Sequence, residues 1–299
     1  MKITNRHGVP ETIVRAVQDD EYDKGDSILS VTQLISPPRI VILQSLNEHN
    51  LESDVVDRVP SLLGTAVHKI LEKGSKDLPN YHLEQRLFDT INGWKISGAV
   101  DVQIDNGDGT WAINDYKVTS VYSAQSDKPE WEQQLNCYAY LSCKSYGRKV
   151  TSLKIVAILR DWQRKQSELK PDYPQSQIAV VDIPVWTFEE QEAFIVGRVL
   201  LHQAAQKAVD NGEPLVYCTD EERWVRGETW ALMKEGRKSA VKLYDNKEEA
   251  DGAAAGASGT YVEHRHGSPI RCAGNYCLVA GYCRQWQGYP VQGSGEGSG

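Results

Sequence analysis

Three strand-like segments follow one another at residues 81–89, 94–104 and 111–118. β-Branched and aromatic residues recur in them, as they do in strands generally. The last two segments are separated by Asn106-Gly-Asp-Gly, a sequence that favours the left-handed backbone of a tight hairpin turn. An antiparallel meander is therefore predicted at the centre of the fold, and the remaining elements must pack on it or beside it.

Helical and strand patterns flank this meander. Apolar residues recur at helical spacing both before and after it, and two more strand-like segments follow. Ser61 is the predicted N-cap of the first helix, and Gly74 is its predicted end. The predicted fold class is α/β, with a mixed sheet flanked by helices. The predicted helices cover residues 61–73, 130–146 and 187–210, and the two further strands cover residues 153–159 and 178–185.

The sequence divides into four parts. They are an N-terminal extension, a core domain, a C-terminal cysteine-cluster subdomain and a flexible linker or tag remnant, at residues 1–27, 28–211, 212–290 and 291–299. Within the subdomain, residues 238–243 favour a strand and residues 246–250 a helix. The glycines and alanines of residues 251–259 predict a flexible loop.

The charge of the chain limits its partners. A net charge of −8 argues against a protein that coats nucleic acid through bulk charge. Residues 144–170 are locally basic, and they are either a phosphate-binding surface or an ordinary solvated one. The first residues lack the apolar segment of a secretory signal, and no apolar run is long enough to span a bilayer. A cytoplasmic protein without a membrane partner is expected.

Two aspartates and a lysine are candidate catalytic groups of the meander. Asp115 and Lys117 project from the same face of one strand, and the neighbouring strand brings Asp101 alongside. Converging carboxylates repel each other unless a cation lies between them, and a hard divalent ion satisfies that need. The lysine can orient the attacking water or neutralise charge on a phosphate. Taken alone, an Asp-x-Lys motif also fits a surface ion pair.

Four short motifs follow one another between residues 60 and 145. They are Gly64-x-x-x-His68 on a helix, Gly98-x-x-Asp101 and Asp115-x-Lys117 on strands, and Gln134-x-x-x-Tyr138 on a second helix. In this order and combination they resemble the RecB-like branch of the PD-(D/E)xK nuclease superfamily. The resemblance implies a restriction-endonuclease-like fold for the core domain.

The same resemblance implies a role for each motif residue. A divalent ion would be bound by His68, Asp101 and Asp115. Catalysis would depend on Lys117 together with the two aspartates. Two further residues would support the site or contact DNA: Gln134 and Tyr138.

The implied activity is hydrolysis of DNA phosphodiester bonds with Mg²⁺ or Mn²⁺, as an exonuclease in phage or bacterial DNA processing. The sequence has no Walker A motif, so a helicase or recombination partner is expected on a separate chain. Two alternatives stay open: a nucleic-acid-binding module on the same fold without turnover, and a zinc-stapled interaction protein. Glu84 is either a further carboxylate of the site or an ordinary surface residue. His68 is either a ligand or a partly buried histidine with a structural role.

Four of the six cysteines follow the predicted core. A disulfide framework is not expected in a reducing cytosol, whereas four thiols can bind a structural zinc ion or an iron–sulfur cluster. The similar CRISPR-associated and AddB-type nucleases hold a [4Fe–4S] cluster with one distant and three clustered cysteines. By that resemblance, the cluster ligands in this sequence are Cys218, Cys272, Cys277 and Cys283.

The cysteine spacing departs from that family pattern in two ways. Four residues separate Cys272 from Cys277, where the family commonly has two. The family's distant cysteine precedes the Gly-x-x-x-His helix, whereas Cys218 follows the core. Two alternatives therefore stay open: a zinc ion, with His264 or His266 as a further ligand, and free thiols.

Overall fold

The predicted meander forms the centre of a six-stranded mixed sheet in the computed structural model, which describes residues 1–19 and 25–289. The chain divides into two units. Unit 1 comprises Met1–Ile42 and His49–Leu215, and unit 2 comprises Leu43–Glu48 and the chain from Val216 onward. The predicted linker at residues 291–299 lies outside the described residues.

Unit 1 contains all of the predicted core helices and strands. Its elements are β1 (Lys2–Thr4), α1 (Glu11–Gln18), β2 (Leu29–Ser30), α2 (Val31–Ile35), α3 (Pro38–Leu46, whose last residues are assigned to unit 2), β3 (Glu52–Asp54), a 3-10 turn (Val55–Arg58), α4 (Val59–Ser75), β4 (Tyr81–Ile91), β5 (Trp94–Asp105), β6 (Thr110–Thr119), α5 (Val121–Gln125), α6 (Pro129–Tyr146), β7 (Lys149–Leu159), α7 (Arg164–Leu169), β8 (Ile178–Ile183) and α8 (Phe188–Asp210).

Strand β5 organises the sheet because it has partners along both edges. Strand β4 pairs antiparallel with it along one edge. On the other edge, β2 pairs parallel with Ile96 and Ser97, and β6 pairs antiparallel with residues 102–105. Among the described residues, no strand pairs with residues 98–101 on that second edge. Strand β6 continues beside β7, and β7 beside β8. The sheet is therefore split next to Gly98-Ala-Val-Asp101.

The main core of unit 1 lies between the sheet and helices α6 and α8. Helix α6 buries half of its length, in one continuous stretch from Gln134 to Ser142. The predicted α/β class, a mixed sheet flanked by helices, is confirmed. Fully buried core residues include Ile96, Val100, Ile113, Leu135, Leu141, Ile155, Ile195 and Val199.

The predicted limits of helix α4 are wrong at both ends. The helix begins at Val59 with Arg58 as its N-cap, so Ser61 lies inside the first turn. Pro60 explains the earlier start, because proline is favoured in the first turn of a helix. Gly74 lies within the helix and does not end it.

Unit 2 is built from short elements. They are β9 (Val225–Arg226), β10 (Thr229–Lys234), β11 (Lys242–Tyr244), α9 (Lys247–Ala255), β12 (Thr260–Arg265), β13 (Ser268–Pro269), α10 (Ile270–Ala273), a 3-10 turn (Ala280–Tyr282) and α11 (Arg284–Gln287). Strand β10 lies between β11 and β12, and β9 pairs with β13. No helix in the described part of the chain is long and apolar enough to cross a membrane.

The loop predicted at residues 251–259 is wrong in its first half. Helix α9 continues to Ala255. It begins after Asn246, whose side chain caps the N-terminus by accepting a hydrogen bond from the Glu248 amide at 2.7 Å. Alanine is also the strongest helix former, so the run of alanines that ends at Ala255 extends the helix. The strand predicted at residues 238–243 begins only at Lys242.

A buried histidine on α8 predicts that stability depends on pH. His202 is 1% exposed, and its Nε2–H donates to the Leu34 carbonyl at 3.0 Å. Burial lowers the pKa of His202 from 6.5 to about 4. The unfolded chain therefore binds this proton more tightly, and the stability contributed by neutral His202 is lost as pH falls from 6.5 to 4.

We expect wild type to lose about 3 kcal/mol more unfolding free energy between pH 7 and pH 4 than a His202→Gln variant does. Denaturant unfolding at the two pH values measures this difference. The exposed His49 gives the matched control, and His49→Gln should show the wild-type dependence. Equal pH dependence in wild type and His202→Gln would show that burial does not shift this pKa.

Candidate active site

Three carboxylates lie in a row across neighbouring strands of unit 1. The β5–β6 ladder ends at Val102 opposite Asn114, so Asp101 and Asp115 face each other one step further on. By the β4–β5 register, Glu84 lies opposite Asp101 on the other edge of β5. Directly opposed residues project to the same face of a sheet. The meander therefore brings Glu84, Asp101 and Asp115 together.

The backbone of Tyr116 holds two of the site residues in place. Its N–H donates to Asp101 Oδ2 at 2.8 Å, so this carboxylate takes the bond that the β5–β6 ladder would otherwise make. Its carbonyl oxygen accepts a hydrogen bond from His68 Nε2 at 2.9 Å. Helix α4 is thereby tied to the strand that carries the Asp-x-Lys motif.

The hydrogen bond to Tyr116 fixes the tautomer of His68. A carbonyl oxygen can only accept, so Nε2 carries the proton and Nδ1 of the neutral ring has a free lone pair. Nδ1 lies 3.5 Å from Asp101 Oδ1 and 4.0 Å from Glu84 Oε1. The ligand atoms of His68, Glu84 and Asp101 all lie within 4.8 Å of one another. These three residues could therefore hold a metal ion together.

Asp115 is the most deeply buried of the three carboxylates, with 1% of its surface exposed. Its Oδ2 accepts no hydrogen bond of good geometry, although Lys117 Nζ lies 2.5 Å away. The two side chains share one face of β6, as the motif predicts. A buried carboxylate oxygen without a hydrogen bond needs a cation, which either the lysine or a metal ion can supply.

The electrostatics of the site also favour a bound cation. Burial, and then the charge of Asp115, raise the pKa of Asp101 to about 7. Partial burial raises the pKa of Glu84. A divalent ion between these groups would oppose both increases in pKa, since its charge favours the ionised carboxylates. The residues present fit a hard divalent ion with oxygen and imidazole ligands.

The Gln-x-x-x-Tyr motif of α6 packs behind the aspartates. Gln134 Nε2 donates to the hydroxyl of Tyr138 at 2.8 Å, and both side chains are buried. The Tyr138 ring covers Gly98, where a Cβ atom would lie 2.9 Å from the ring and 3.1 Å from Leu141. The glycine of the Gly-x-x-Asp motif therefore leaves room for the tyrosine of the next motif.

This close contact predicts the effect of a larger residue at position 98. Gly98→Ala should destabilise the protein by roughly 1–3 kcal/mol, because the added methyl overpacks the core against Tyr138. Thermal or denaturant unfolding measures the loss. Gly74→Ala is the matched control, since its Cβ meets nothing within 4 Å and alanine favours the helix. A Gly98→Ala protein as stable as wild type would mean that Tyr138 does not occupy this position.

The site opens through two connected spaces in unit 1. A cavity of about 240 Å³ is lined by the four candidate residues of the nuclease motifs together with Glu84, Gln134 and Tyr138. A wider cleft of about 690 Å³ follows α4. His68, Glu84 and Lys117 line both. A reacting group in the inner cavity can therefore belong to a longer molecule in the cleft.

The structure adds two residues, Glu84 and Tyr116, to the site residues that the motifs identify. Glu84 lies at the site with a positive φ of 48°, a strained backbone for a residue with a side chain. Its position opposite Asp101 follows from the register of β4 with β5, so the sequence identifies Glu84 as a site residue only after these two strands have been aligned. Tyr116 acts through its backbone, and its side-chain identity gives no signal of this.

The four cysteines predicted as cluster ligands all lie in unit 2. Cys277 and Cys283 are buried, and Cys218 and Cys272 are partly exposed. Burial, and then the charges of Cys277 and Cys283, raise the pKa of Cys272. These three thiols therefore lie close enough to repel one another as thiolates.

Cys218 is held beside the same segment by a side chain that the sequence did not single out. The Cys218 N–H donates to Gln285 Oε1 at 2.9 Å, and Gln285 Nε2 donates to the Cys218 carbonyl at 2.8 Å. Gln285 follows Cys283 by two residues. The fold thus brings the distant cysteine next to the segment that carries the last of the three clustered cysteines.

Comparison with known proteins gives a family match. The family model of the PD-(D/E)XK nuclease superfamily matches residues 79–284, which is more than half of the chain. A search of curated proteins found no match. The match begins after His68 and includes the remaining site residues and the four cysteines.

Among solved structures, SSO0001 is similar, with 21% identity and a TM-score of 0.44; the alignment covers 63% of this chain and 84% of that one. LHK-Exo, an alkaline exonuclease from Laribacter hongkongensis, is similar in its complex with dAMP, with 12% identity and a TM-score of 0.38. That alignment covers 62% of this chain and 92% of LHK-Exo. These likenesses are too low to transfer a substrate or an activity.

Proposed function

The chain belongs to the PD-(D/E)XK nuclease superfamily, and from that premise we propose that it is a DNA exonuclease that uses Mg²⁺ or Mn²⁺. The observation that carries the proposal is the convergence of His68, Asp101, Asp115 and Lys117 on one cavity. An intact set of ligands and a lysine supports turnover. It argues against the alternative of a binding module without activity.

His68, Asp101 and Asp115 hold the divalent ion in this proposal, and Glu84 adds a further carboxylate from β4. When bound there, such an ion would supply polarisation of the phosphate and a lowered pKa for a water molecule. The Tyr116 backbone orients two of the ligands through the hydrogen bonds to His68 and Asp101. Such outer partners keep metal ligands in position.

Lys117 acts on the reacting groups. Its ammonium lies at the wall shared by the inner cavity and the cleft, next to Asp115. From there it can orient the attacking water or neutralise the charge that develops on the phosphate. The buried pair of Gln134 and Tyr138 supports the ligand-bearing strand β5 through contact with Gly98.

The shape of the site supports attack on one nucleotide of a longer strand. The inner cavity of about 240 Å³ shares His68, Glu84 and Lys117 with the cleft along α4, so this cleft can accommodate the strand that is joined to the reacting nucleotide. We place this activity in phage or bacterial DNA processing in the cytoplasm, with strand separation supplied by a helicase or recombination partner.

Linear and covalently closed circular DNA of the same sequence test the proposal. Wild type should release nucleotides from end-labelled linear DNA with Mg²⁺ or Mn²⁺, and should leave the circle intact. A chelator should stop the reaction. Cleavage of the circle would replace the exonuclease with an endonuclease, and binding without cleavage of either substrate would restore the binding-module alternative.

The cysteines of unit 2 support a second, structural cofactor, and we propose a [4Fe–4S] cluster. The three clustered thiols lie near one another, and Gln285 ties the backbone of Cys218 to the segment that carries Cys283. Four such thiols can bind an iron–sulfur cluster, with a zinc ion as the alternative. Bound to Cys218 as well, the cluster would close a long loop of unit 2.

Loss of one ligand should therefore destabilise unit 2. Protein purified without oxygen should be brown, with broad absorbance at roughly 400 nm, and Cys277→Ala should lose this absorbance and the protease resistance of residues beyond 216. Limited proteolysis and iron analysis measure both effects. Cys143→Ala, on α6 of unit 1, is the matched control. Stoichiometric zinc in a colourless protein would favour the zinc alternative, and unchanged protease resistance of Cys277→Ala would contradict the structural role.

A further inference from the structure

Unit 2 carries a second cluster of ligand-type side chains, Glu228, His264 and His266, which neither the nuclease site nor the cysteines use. His264 lies on β12, opposite Trp230 of β10. The same register puts Glu228 opposite His266, one step beyond the last pair of the ladder. His264 and His266 are two residues apart, so both project to the same face as Glu228.

Two strand ladders, one on each side, fix the backbone around these three residues. The β10–β12 ladder ends with Thr229 opposite Arg265, and the β9–β13 ladder begins with Arg226 opposite Ser268. Glu228 and His266 lie in the short gap between the two ladders. Gly267 approaches the facing strand so closely that a Cβ would lie 2.5 Å from the Arg226 carbonyl oxygen. The geometry of the cluster is therefore set by the fold.

The side chains are also oriented toward one another. His264 Nε2 donates to Glu228 Oε2 at 2.9 Å, and the Trp230 ring stacks on His264 at 5.2 Å with an interplanar angle of 18°. The centroids of the two histidine rings are 4.1 Å apart. One ligand atom from each of the three residues lies within 4.8 Å of the other two, and all three residues are exposed.

We propose that Glu228, His264 and His266 form a binding site for a transition-metal ion of the zinc class. Two imidazoles and one carboxylate are a ligand set that Zn²⁺ accepts with water in the fourth position. Imidazole nitrogen favours Zn²⁺, Ni²⁺ or Cu²⁺ over Mg²⁺, so this site and the carboxylate site of unit 1 prefer different ions. The ion takes the place of the proton in the hydrogen bond between His264 and Glu228. It thereby links the end of the β10–β12 ladder to the start of the β9–β13 ladder.

This assignment changes the role expected for the two histidines. The sequence suggested that His264 or His266 assists the cysteines in binding zinc. In the described residues, the group of candidate ligands that contains these histidines includes Glu228 and no cysteine. The histidine site therefore needs no cysteine as a ligand, and it is tested independently of the nuclease proposal.

Calorimetric titration of the full chain with Zn²⁺, in excess Mg²⁺ and without a histidine tag, tests the site. His264→Ala/His266→Ala removes two of the three ligands and should bind one equivalent fewer than wild type. Glu228→Gln removes one ligand and should bind that equivalent at least about 10-fold more weakly. His7→Ala/His49→Ala removes two exposed histidines elsewhere and should match wild type. Zn²⁺ should raise the melting temperature of wild type above that of the His264→Ala/His266→Ala protein.

A second readout reports on this site alone. Ni²⁺ bound at His264 should quench the fluorescence of the stacked Trp230, and this component should vanish in Trp230→Phe and in His264→Ala/His266→Ala. The proposal is overturned if His264→Ala/His266→Ala binds as many Zn²⁺ equivalents as wild type, with the same affinity. Ni²⁺ quenching that persists in this folded variant would overturn it equally.

Discussion

Asp115→Asn should reduce the rate of DNA cleavage by about 10³-fold or more at saturating Mg²⁺, because metal-ion catalysis supplies several kcal/mol and each 1.36 kcal/mol is a factor of ten. The fold should survive. In the metal-free protein the stability should change little, because the substitution relieves the repulsion of Asp101 and also removes the ion pair with Lys117.

Single-turnover cleavage of end-labelled linear DNA and thermal unfolding measure these two effects. Asp182→Asn is the matched control, since Asp182 lies on β8 of the same sheet with an exposed side chain. It should cleave at the wild-type rate. A folded Asp115→Asn protein with near-normal activity would remove Asp115 from the active site.

Lys117→Met should lose roughly 10²–10³-fold in rate and keep its affinity for Mn²⁺. The lysine acts on the water or the phosphate, so its removal costs transition-state stabilisation. In the metal-free protein its ammonium lies 2.5 Å from Asp115 Oδ2, where it competes with a bound cation. Affinity for Mn²⁺ should therefore stay equal or rise.

Calorimetry with Mn²⁺ alongside the cleavage assay separates the two effects for Lys117→Met. Lys154→Met, on the neighbouring strand β7, removes a lysine outside the site and should leave both quantities unchanged. Loss of Mn²⁺ affinity in parallel with loss of rate would mean that Lys117 supports metal binding, and its proposed role would be wrong.

Much of the core fold could be predicted because its signals are local. The hairpin turn at Asn106-Gly-Asp-Gly is confirmed, with positive φ at both glycines. Strand β5 ends one residue from its predicted limit. The errors arise where two local signals compete. At the start of α4, Pro60 outweighed the capping preference of Ser61, and in residues 251–259 the alanines outweighed the glycines.

The motif side chains of the candidate site could be predicted. The backbone contacts that hold them in place could not. Periodicity put Asp115 and Lys117 on one face, and the motifs supplied the remaining ligands. The two hydrogen bonds from the Tyr116 backbone to His68 and Asp101 could not be predicted, because any residue has the same N–H and C=O groups. Glu84 depended on the β4–β5 register, which pairs it with Asp101 only once both strands are aligned.

Sequence spacing says least about unit 2. Four cysteines suggested a cluster. The two hydrogen bonds between the Cys218 backbone and the Gln285 side chain could not be predicted, because they join residues 67 positions apart. The juxtaposition of His264 and His266 with Glu228 likewise follows from the pairing of β10 with β12. Long-range pairing of this kind leaves no periodic trace in a single sequence.

Anomalous scattering from Mn²⁺-soaked crystals tests most directly whether the motif residues form a metal-dependent active site. The account predicts one manganese ion in unit 1, within roughly 2.5 Å of carboxylate oxygens of Asp101 and Asp115 and beside His68 Nδ1. Lys117 Nζ should have moved away from Asp115 to admit it. Crystals of a protein that degrades DNA in the same buffer, with no manganese at this position, would contradict the account.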